Sequence, residues 1–349
     1  MMHDHGSGLR STRASKKECH QSMADVQTIR GPVDSGTLGW TLSHEHLTAG
    51  GPGMQSFPWI YDEDLAVKAN LEALGRAREA GIDSLIDLTP FDLGRQISLF
   101  EKIADADSGV NIVCATGVYR WVPMYLRGRP IDQVAEHFIR EIQDGIQGTS
   151  IRAGIIKVAW DQEYRLADGP EGFTVRSGLE RAARAAARAA KATGVPVSCH
   201  TLAADELGTP LLDIFADEGL DLRAVTIGHS NDSADEAYLK RIAGRGAMLG
   251  LDRYFGRAGD EELARRAGLA LMLARDGFAE QVTLGHDASP YYCFAPPQAG
   301  VSLADCWLPV PEFEVPWLRE HGATDDQVDA ICRRSVAATF EAAARMAGR

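Results

Sequence analysis

The chain has 349 residues, of which 36 are Lys or Arg and 49 are Asp or Glu, so its formal net charge is −13. This acidic balance argues against nucleic acid as a partner, because such binding depends on basic residues that neutralise phosphates, and no apolar run is long enough to span a membrane. With 45% apolar residues the composition is globular, and the length suits two ordinary domains or one α/β barrel.

The N-terminal segment, residues 1–22, is polar and has no helical or strand periodicity. It predicts a disordered N-terminal tail or a cloning remnant and not a signal peptide, because no apolar stretch follows its positive charges. We therefore expect the folded domain to occupy residues 23–349. The six cysteines show no paired spacing, which favours a reduced, cytoplasmic setting.

From residue 41 onward, short apolar runs alternate with longer segments of helical periodicity. Runs of strand length lie at 41–46, 84–88, 111–117, 154–159, 195–200, 224–229, 247–252 and 282–287. Helices are predicted at about 62–80, 94–106, 131–147, 177–193, 205–218, 233–243, 260–276 and 325–346. This alternation predicts a single α/β domain, a (β/α)8 TIM barrel with a C-terminal helix. A doubly wound sheet is the alternative, but the glycine-rich phosphate loop that usually accompanies it is missing from the sequence.

Residues able to bind a metal lie at or beside the C-terminal ends of these predicted strands. They are His44, His46, Lys157, His200, His229 and Asp287. The C-terminal ends of barrel strands meet on one face, where active sites are built. His44 and His46 are two residues apart on a strand, so both point the same way. One histidine at a strand end is ordinarily structural, but three such ends with an aspartate at a fourth predict a metal site.

Lys157 lies in an otherwise apolar strand, where a charged lysine is costly unless it is paired or functional. Burial and nearby cations would lower the pKa of its amine and leave it a neutral nucleophile. Such an amine can add carbon dioxide and become a carbamate, an anionic ligand able to bridge two metal ions. A salt bridge between Lys157 and Asp287 is the alternative.

Six motifs, taken in order and spacing, resemble those of the phosphotriesterase family of the amidohydrolase superfamily. They are TLSHEHL at 41–47, GIIKVA at 154–159, VSCHT at 197–201, IGHSND at 227–232, GLDRY at 250–254 and GHD at 285–287. The resemblance covers about residues 25–346 and implies a (β/α)8 metal-dependent hydrolase with two divalent ions. Zinc fits the nitrogen and oxygen ligands best, and cobalt, manganese or iron could replace it.

The resemblance also implies how these residues share the two metals. One metal takes His44, His46 and Asp287, and the other takes His200 and His229. Carboxylated Lys157 bridges the two metals together with a hydroxide. In this scheme the hydroxide attacks the substrate and Asp287 accepts the released proton.

Three further features resemble phosphotriesterase-like lactonases more than specialised phosphotriesterases. Tyr119, in GVY at 117–119, is expected to reach toward the hydroxide and the lactone, residues 131–149 look like the lactonase helix, and Arg253 follows the seventh strand. Aromatic packing is the alternative role for Tyr119, and a salt bridge is the alternative for Arg253. The expected substrates are N-acyl homoserine lactones or δ-lactones, with promiscuous phosphotriesterase activity. A phosphotriesterase (aryldialkylphosphatase) or another carboxylesterase is the alternative, followed by a binding protein on the same scaffold.

The loop after Asp287, at about 288–311, departs from the lactonase pattern, and loops at this face set substrate choice. Its aromatic residues and one from an earlier loop would either wall an apolar leaving-group pocket or pack the loop against itself. These residues are Trp121, Tyr291, Tyr292, Phe294 and Trp307. A homodimer is expected from the resemblance alone.

Overall fold

The computed structural model describes residues 24–166, 175–254, 260–291 and 303–348, together with Met1. The predicted tail therefore lies outside the described residues, apart from Met1. The described chain opens with an antiparallel hairpin of β1 (Asp25–Thr28) and β2 (Gly31–Asp34). Sequence periodicity does not reveal this hairpin, because each strand has only four residues.

Within the described residues, eight parallel strands form one sheet, and helices alternate with them. The strands are β3 (Thr41–Glu45), β4 (Ser84–Asp87), β5 (Asn111–Gly117), β6 (Ile155–Trp160), β7 (Val197–Thr201), β8 (Val225–Ile227), β9 (Met248–Leu251) and β10 (Val282–Leu284). Each strand pairs with the next along the chain. The Ser43 hydroxyl donates to the Leu284 carbonyl at 2.9 Å, so the last strand lies beside the first. The predicted (β/α)8 barrel is confirmed.

The helices surround this barrel and close its apolar core. They are α1 (Glu63–Glu79), α2 (Ile97–Ala106), α3 (Ile131–Gln143), α4 (Arg176–Thr193), α5 (Gly208–Asp217), α6 (Glu236–Gly244), α7 (Asp260–Arg275), α8 (Val315–Glu320), α9 (Asp325–Asp329) and α10 (Ser335–Met346). The predicted C-terminal helix is α9 and α10, joined by a π-helical turn at Ala330–Arg334. Helix α8 escapes prediction because Pro309, Pro311 and Pro316 interrupt the helical pattern. No helix in the described ranges has the length and apolar character needed to cross a membrane.

Arg95, just before α2, is a buried cation that joins this part of the barrel to α3. Its guanidinium donates to the two carboxylate oxygens of Glu141 at 2.6 and 3.1 Å and to the Ala115 carbonyl at 2.6 Å. Removing the carboxylate would leave an unpaired charge in the interior. We therefore expect Glu141→Ala to lower the free energy of unfolding by about 3–5 kcal/mol, as measured by urea denaturation.

An exposed ion pair on the same helix provides the control for Glu141→Ala. Glu136 accepts from Arg140 at 2.8 Å, one helical turn away, and both side chains are more than half exposed. Solvent screens such a pair, so Glu136→Ala should cost less than ~0.5 kcal/mol. Equal losses in the two variants would contradict the importance assigned to the buried pair.

Candidate metal centre

The C-terminal ends of β3 and β10 bring three of the predicted ligand residues together. The Asp287 Oδ1 atom lies 3.0 Å from Nε2 of His46 and 3.4 Å from Nε2 of His44. Candidate donor atoms of all three residues lie within 4.8 Å of one another. Both histidines are buried. This arrangement matches the first of the two expected ligand sets.

The adjacent strands β7 and β8 supply the second pair of histidines. The Nε2 atom of His229 lies 2.6 Å from Nδ1 of His200 and 3.9 Å from Oδ2 of Asp287. His229 has a φ of 60° and Asp287 a φ of 53°, so both lie in the left-handed region just after their strands. The predicted strands 224–229 and 282–287 are therefore too long, because β8 and β10 end at Ile227 and Leu284 and the backbone is left-handed at His229 and Asp287.

Lys157, on β6, completes the set of six predicted residues at this centre. Its side chain is fully buried, and Nζ lies 3.1 Å from Nε2 of His44. Burial lowers the pKa of the Lys157 amine to about 8, and the Asp287 carboxylate partly opposes this change. A neutral amine is therefore accessible near neutral pH.

Three histidines of the centre are held in the neutral form that a metal requires. Burial lowers the pKa of His44 to about 4 and that of His229 to about 3. Burial also lowers the pKa of His200, although the hydrogen bond that its ring donates to the Asp161 carboxylate acts in the opposite direction. The chemistry of the donor set, neutral imidazole nitrogens beside a carboxylate, thus fits divalent metal ions.

Glu45 explains how β3 and the loop after β10 are fixed relative to each other. It lies between His44 and His46, so its side chain points away from theirs. One oxygen of this fully buried carboxylate accepts from the His286 backbone N–H at 2.9 Å and lies 2.7 Å from the His286 ring Nδ1. This contact places the next residue, Asp287, opposite the two histidines of β3.

Three further residues contact the candidate ligands, and the sequence reasoning missed all of them. Asp252 lies 2.6 Å from His44 Nδ1, Asp161 lies 2.8 Å from His200 Nε2, and Thr89 lies 2.8 Å from His46 Nδ1. Asp161 and Asp252 directly follow β6 and β9. They satisfy the same positional rule that identified Asp287, so a search for carboxylates at every strand end would have found them.

Tyr119 and Arg253 also lie at this centre. The Tyr119 hydroxyl is 3.3 Å from Nδ1 of His200, and its ring meets that imidazole edge-on at 5.1 Å. The Arg253 Nε donates to Oδ2 of Asp287 at 3.3 Å, and the same guanidinium forms an ion pair with Asp232. Arg253 therefore makes the salt bridge considered from sequence and contacts a candidate metal ligand as well.

The described part of the 288–311 loop packs against the barrel. Trp307 is fully buried, and its indole N–H donates to the Ala288 carbonyl at 3.3 Å. The Tyr291 hydroxyl accepts from the Asp62 backbone N–H at 2.8 Å. Tyr292 and Phe294 lie outside the described residues, and Trp121 is 47% exposed. Trp307 and Tyr291 thus serve loop packing, the second of the two roles considered.

A (β/α)8 barrel whose strand ends carry buried imidazoles and carboxylates able to hold metal defines a metal-dependent hydrolase. The profile of the phosphotriesterase family matches residues 24–337, and the chain belongs to that family. It is 36% identical over 322 residues to a phosphotriesterase homology protein of Mycobacterium tuberculosis, covering 88% of this chain and 95% of that protein. It is 34% identical over 313 residues to an aryldialkylphosphatase of Saccharolobus solfataricus, covering 87% and 95%.

A solved structure agrees with this assignment. The structure of the phosphotriesterase from Mycobacterium tuberculosis superposes with a TM-score of 0.80 at 34% sequence identity. The match covers 90% of this chain and 98% of that one. The similarity therefore extends over almost the whole barrel.

Proposed function

We propose that residues 23–349 form a binuclear metal-dependent hydrolase that opens lactones and hydrolyses phosphotriesters more slowly. The observation that carries the proposal is the meeting of two histidine pairs around Asp287 and Lys157. The first half-site comprises His44, His46 and Asp287, and the second comprises His200 and His229. The free cysteines among the described residues support a cytoplasmic setting.

Lys157 is proposed to bridge the two half-sites as a carbamate. Its neutral amine would add carbon dioxide, so that an N–C bond forms and a proton passes to solvent. The product is an anion with two oxygens, able to serve both half-sites. Divalent ions held there, zinc by preference and cobalt, manganese or iron as substitutes, would lower the pKa of coordinated water and polarise the substrate oxygen.

The surrounding residues are proposed to move the proton and orient the substrate. Asp287 directs Oδ1 toward the β3 histidines, and its Oδ2 would accept the proton released when water attacks. Arg253 holds that Oδ2 through its Nε and is itself anchored by Asp232. Tyr119, whose hydroxyl lies beside His200, would donate a hydrogen bond to the ring oxygen of a lactone. The positions of Tyr119 and Arg253 support the lactone as substrate.

A phosphotriesterase is the second candidate function, supported by the 34% identity to the aryldialkylphosphatase. The lactonase and phosphotriesterase functions are distinguished by comparing kcat/KM for N-acyl homoserine lactones, a δ-lactone and an aryl dialkyl phosphotriester. Metal content is measured on the same sample. We expect lactones to be preferred by about 100-fold or more, equivalent to ~2.7 kcal/mol of transition-state binding.

The other outcomes of this comparison each have a defined meaning. A comparable preference for the phosphotriester would favour the second candidate. Turnover of a simple carboxylic ester alone would indicate a carboxylesterase. If fully metallated protein turns over none of these substrates, both candidates are contradicted and a binding role is favoured.

We also propose a homodimer, as the resemblance implies. Two loops on the C-terminal side of the barrel each expose large apolar side chains, and exposed apolar surface commonly marks protein contacts. These residues are Phe57, Trp59, Trp121, Met124 and Tyr125. Light scattering coupled to gel filtration should give twice the 37.8 kDa chain mass. A mass of one chain at micromolar concentration would contradict the dimer.

A further inference from the structure

Asp252 is a buried carboxylate shared by the two proposed half-sites. One oxygen, Oδ2, lies 2.6 Å from Nδ1 of His44. The other, Oδ1, lies 2.9 Å from Nδ1 of His229 and also accepts the His229 backbone N–H at 2.7 Å. The side chain is only 1% exposed. Both imidazoles therefore turn Nε2 inward, toward Lys157 and His200 respectively.

Two glycines form the slot that holds this carboxylate. A Cβ atom on Gly250 would lie 2.8 Å from Asp252 Oδ2, and a Cβ atom on Gly228 would lie 2.9 Å from the same oxygen. The Gly228 Cβ would also lie 2.8 Å from the Cys199 carbonyl oxygen. All three distances are too short for a carbon in ordinary contact. The backbone around Asp252 is therefore shaped to admit a carboxylate in contact with both histidines.

We infer that Asp252 is a positioning residue that couples the two half-sites by fixing the tautomers of His44 and His229. The inference rests on the binuclear function proposed above. An ionised carboxylate only accepts hydrogen bonds, so each Nδ1 must carry the hydrogen. A neutral ring with its hydrogen on Nδ1 has its lone pair on Nε2, the atom that faces the centre. One side chain thus sets one ligand in each half-site.

The two oxygens of Asp252 accept different numbers of hydrogen bonds: Oδ1 accepts two and Oδ2 accepts one. Asparagine at this position should therefore damage one half-site selectively. Oδ1 accepts two hydrogen bonds from His229, and an amide nitrogen cannot replace it as an acceptor. The amide oxygen is therefore expected at the Oδ1 position, with the NH2 group facing His44. The His44 Nδ1 must then become the acceptor, which moves its hydrogen to Nε2. That change removes the lone pair that His44 directs at the first half-site.

The test is metal binding by the full chain of Asp252→Asn, loaded with Mn²⁺ after removal of other metals. The wild type should bind about two equivalents by mass spectrometry of the metal and show the EPR spectrum of a spin-coupled pair. Asp252→Asn should retain one tightly held ion with an uncoupled spectrum, and affinity for the second should fall on the order of 10- to 100-fold. Its spectrum should match that of His44→Ala and differ from that of His200→Ala. Asp213→Asn, an exposed position on α5, is the matched control.

Several outcomes would overturn the inference. Asp252→Asn that binds two ions as a coupled pair shows that the tautomers do not depend on Asp252. A spectrum matching His200→Ala shows that the wrong half-site was assigned. A wild type that binds no Mn²⁺ and no Zn²⁺ contradicts the proposed function itself, which is a distinct result.

A second variant covers the case in which Asp252→Asn fails to fold, as judged by circular dichroism. Gly250→Ala keeps the carboxylate but places a Cβ atom 2.8 Å from the oxygen that faces His44. That oxygen must shift, so Gly250→Ala should also weaken the first half-site and spare the second. Two coupled ions bound with wild-type affinity in Gly250→Ala would likewise overturn the inference.

Discussion

A Lys157→Met variant is expected to lose its bound metals and its hydrolytic activity together while keeping its fold. The amine is fully buried, 3.1 Å from His44 Nε2, and methionine fills a similar volume without a group that can add carbon dioxide. Removing a buried amine also removes its desolvation cost, so the metal-free variant should be no less stable than the metal-free wild type. We expect kcat/KM to fall by at least about 10²- to 10³-fold, the usual cost of one lost electrostatic stabiliser.

Metal analysis, steady-state kinetics and urea denaturation of the same preparations test this expectation. Lys68→Met, at an exposed position on α1, makes the same chemical change and should bind metal and turn over substrate as the wild type does. A Lys157→Met variant that retains two tightly bound metals would contradict the bridging role. Loss of activity with full metal content would instead indicate that Lys157 takes part in the reaction but does not bind the metals.

The barrel could be predicted because each of its strands and helices buries an apolar face whose period is visible in the sequence. The strand ends were less predictable. Apolar and ligand-type residues continue through residues 229 and 287, whereas the backbone turns left-handed there, with φ of 60° and 53°. A left-handed residue after a strand has no signal in hydrophobic period. The π-helical turn at Val310–Glu314 lies in a proline-rich segment. It also escapes prediction, because a change of helix type has no signal in hydrophobic period.

The six candidate ligands could be predicted because their residue types are unusual at strand ends. The same positional rule would also have found Asp161 and Asp252, but not their roles, because an aspartate after a strand is often a cap or a turn residue. Only the packing of β9 between β8 and β10 brings Asp252 within hydrogen-bond distance of histidines from both half-sites. Such a contact depends on register between strands, which a single sequence does not specify.

His229→Asn is expected to reduce kcat/KM by about 10²- to 10³-fold, with the fold intact. Asparagine adopts the left-handed backbone of this position readily, so the substitution adds little strain. Its shorter side chain cannot place a donor atom where His229 Nε2 lies, 2.6 Å from His200 Nδ1. The second half-site should therefore be lost while the first retains its metal, and metal analysis should give about one equivalent.

The selectivity of that loss is what distinguishes a ligand from a merely buried histidine. His321→Asn makes the same change at an exposed histidine that follows α8, and it should leave both metal content and turnover unchanged. Near-normal turnover in His229→Asn would remove this residue from the centre. Because His229→Asn should spare the first half-site and Asp252→Asn the second, opposite patterns of metal retention in the two variants would support the tautomer coupling independently of any substrate.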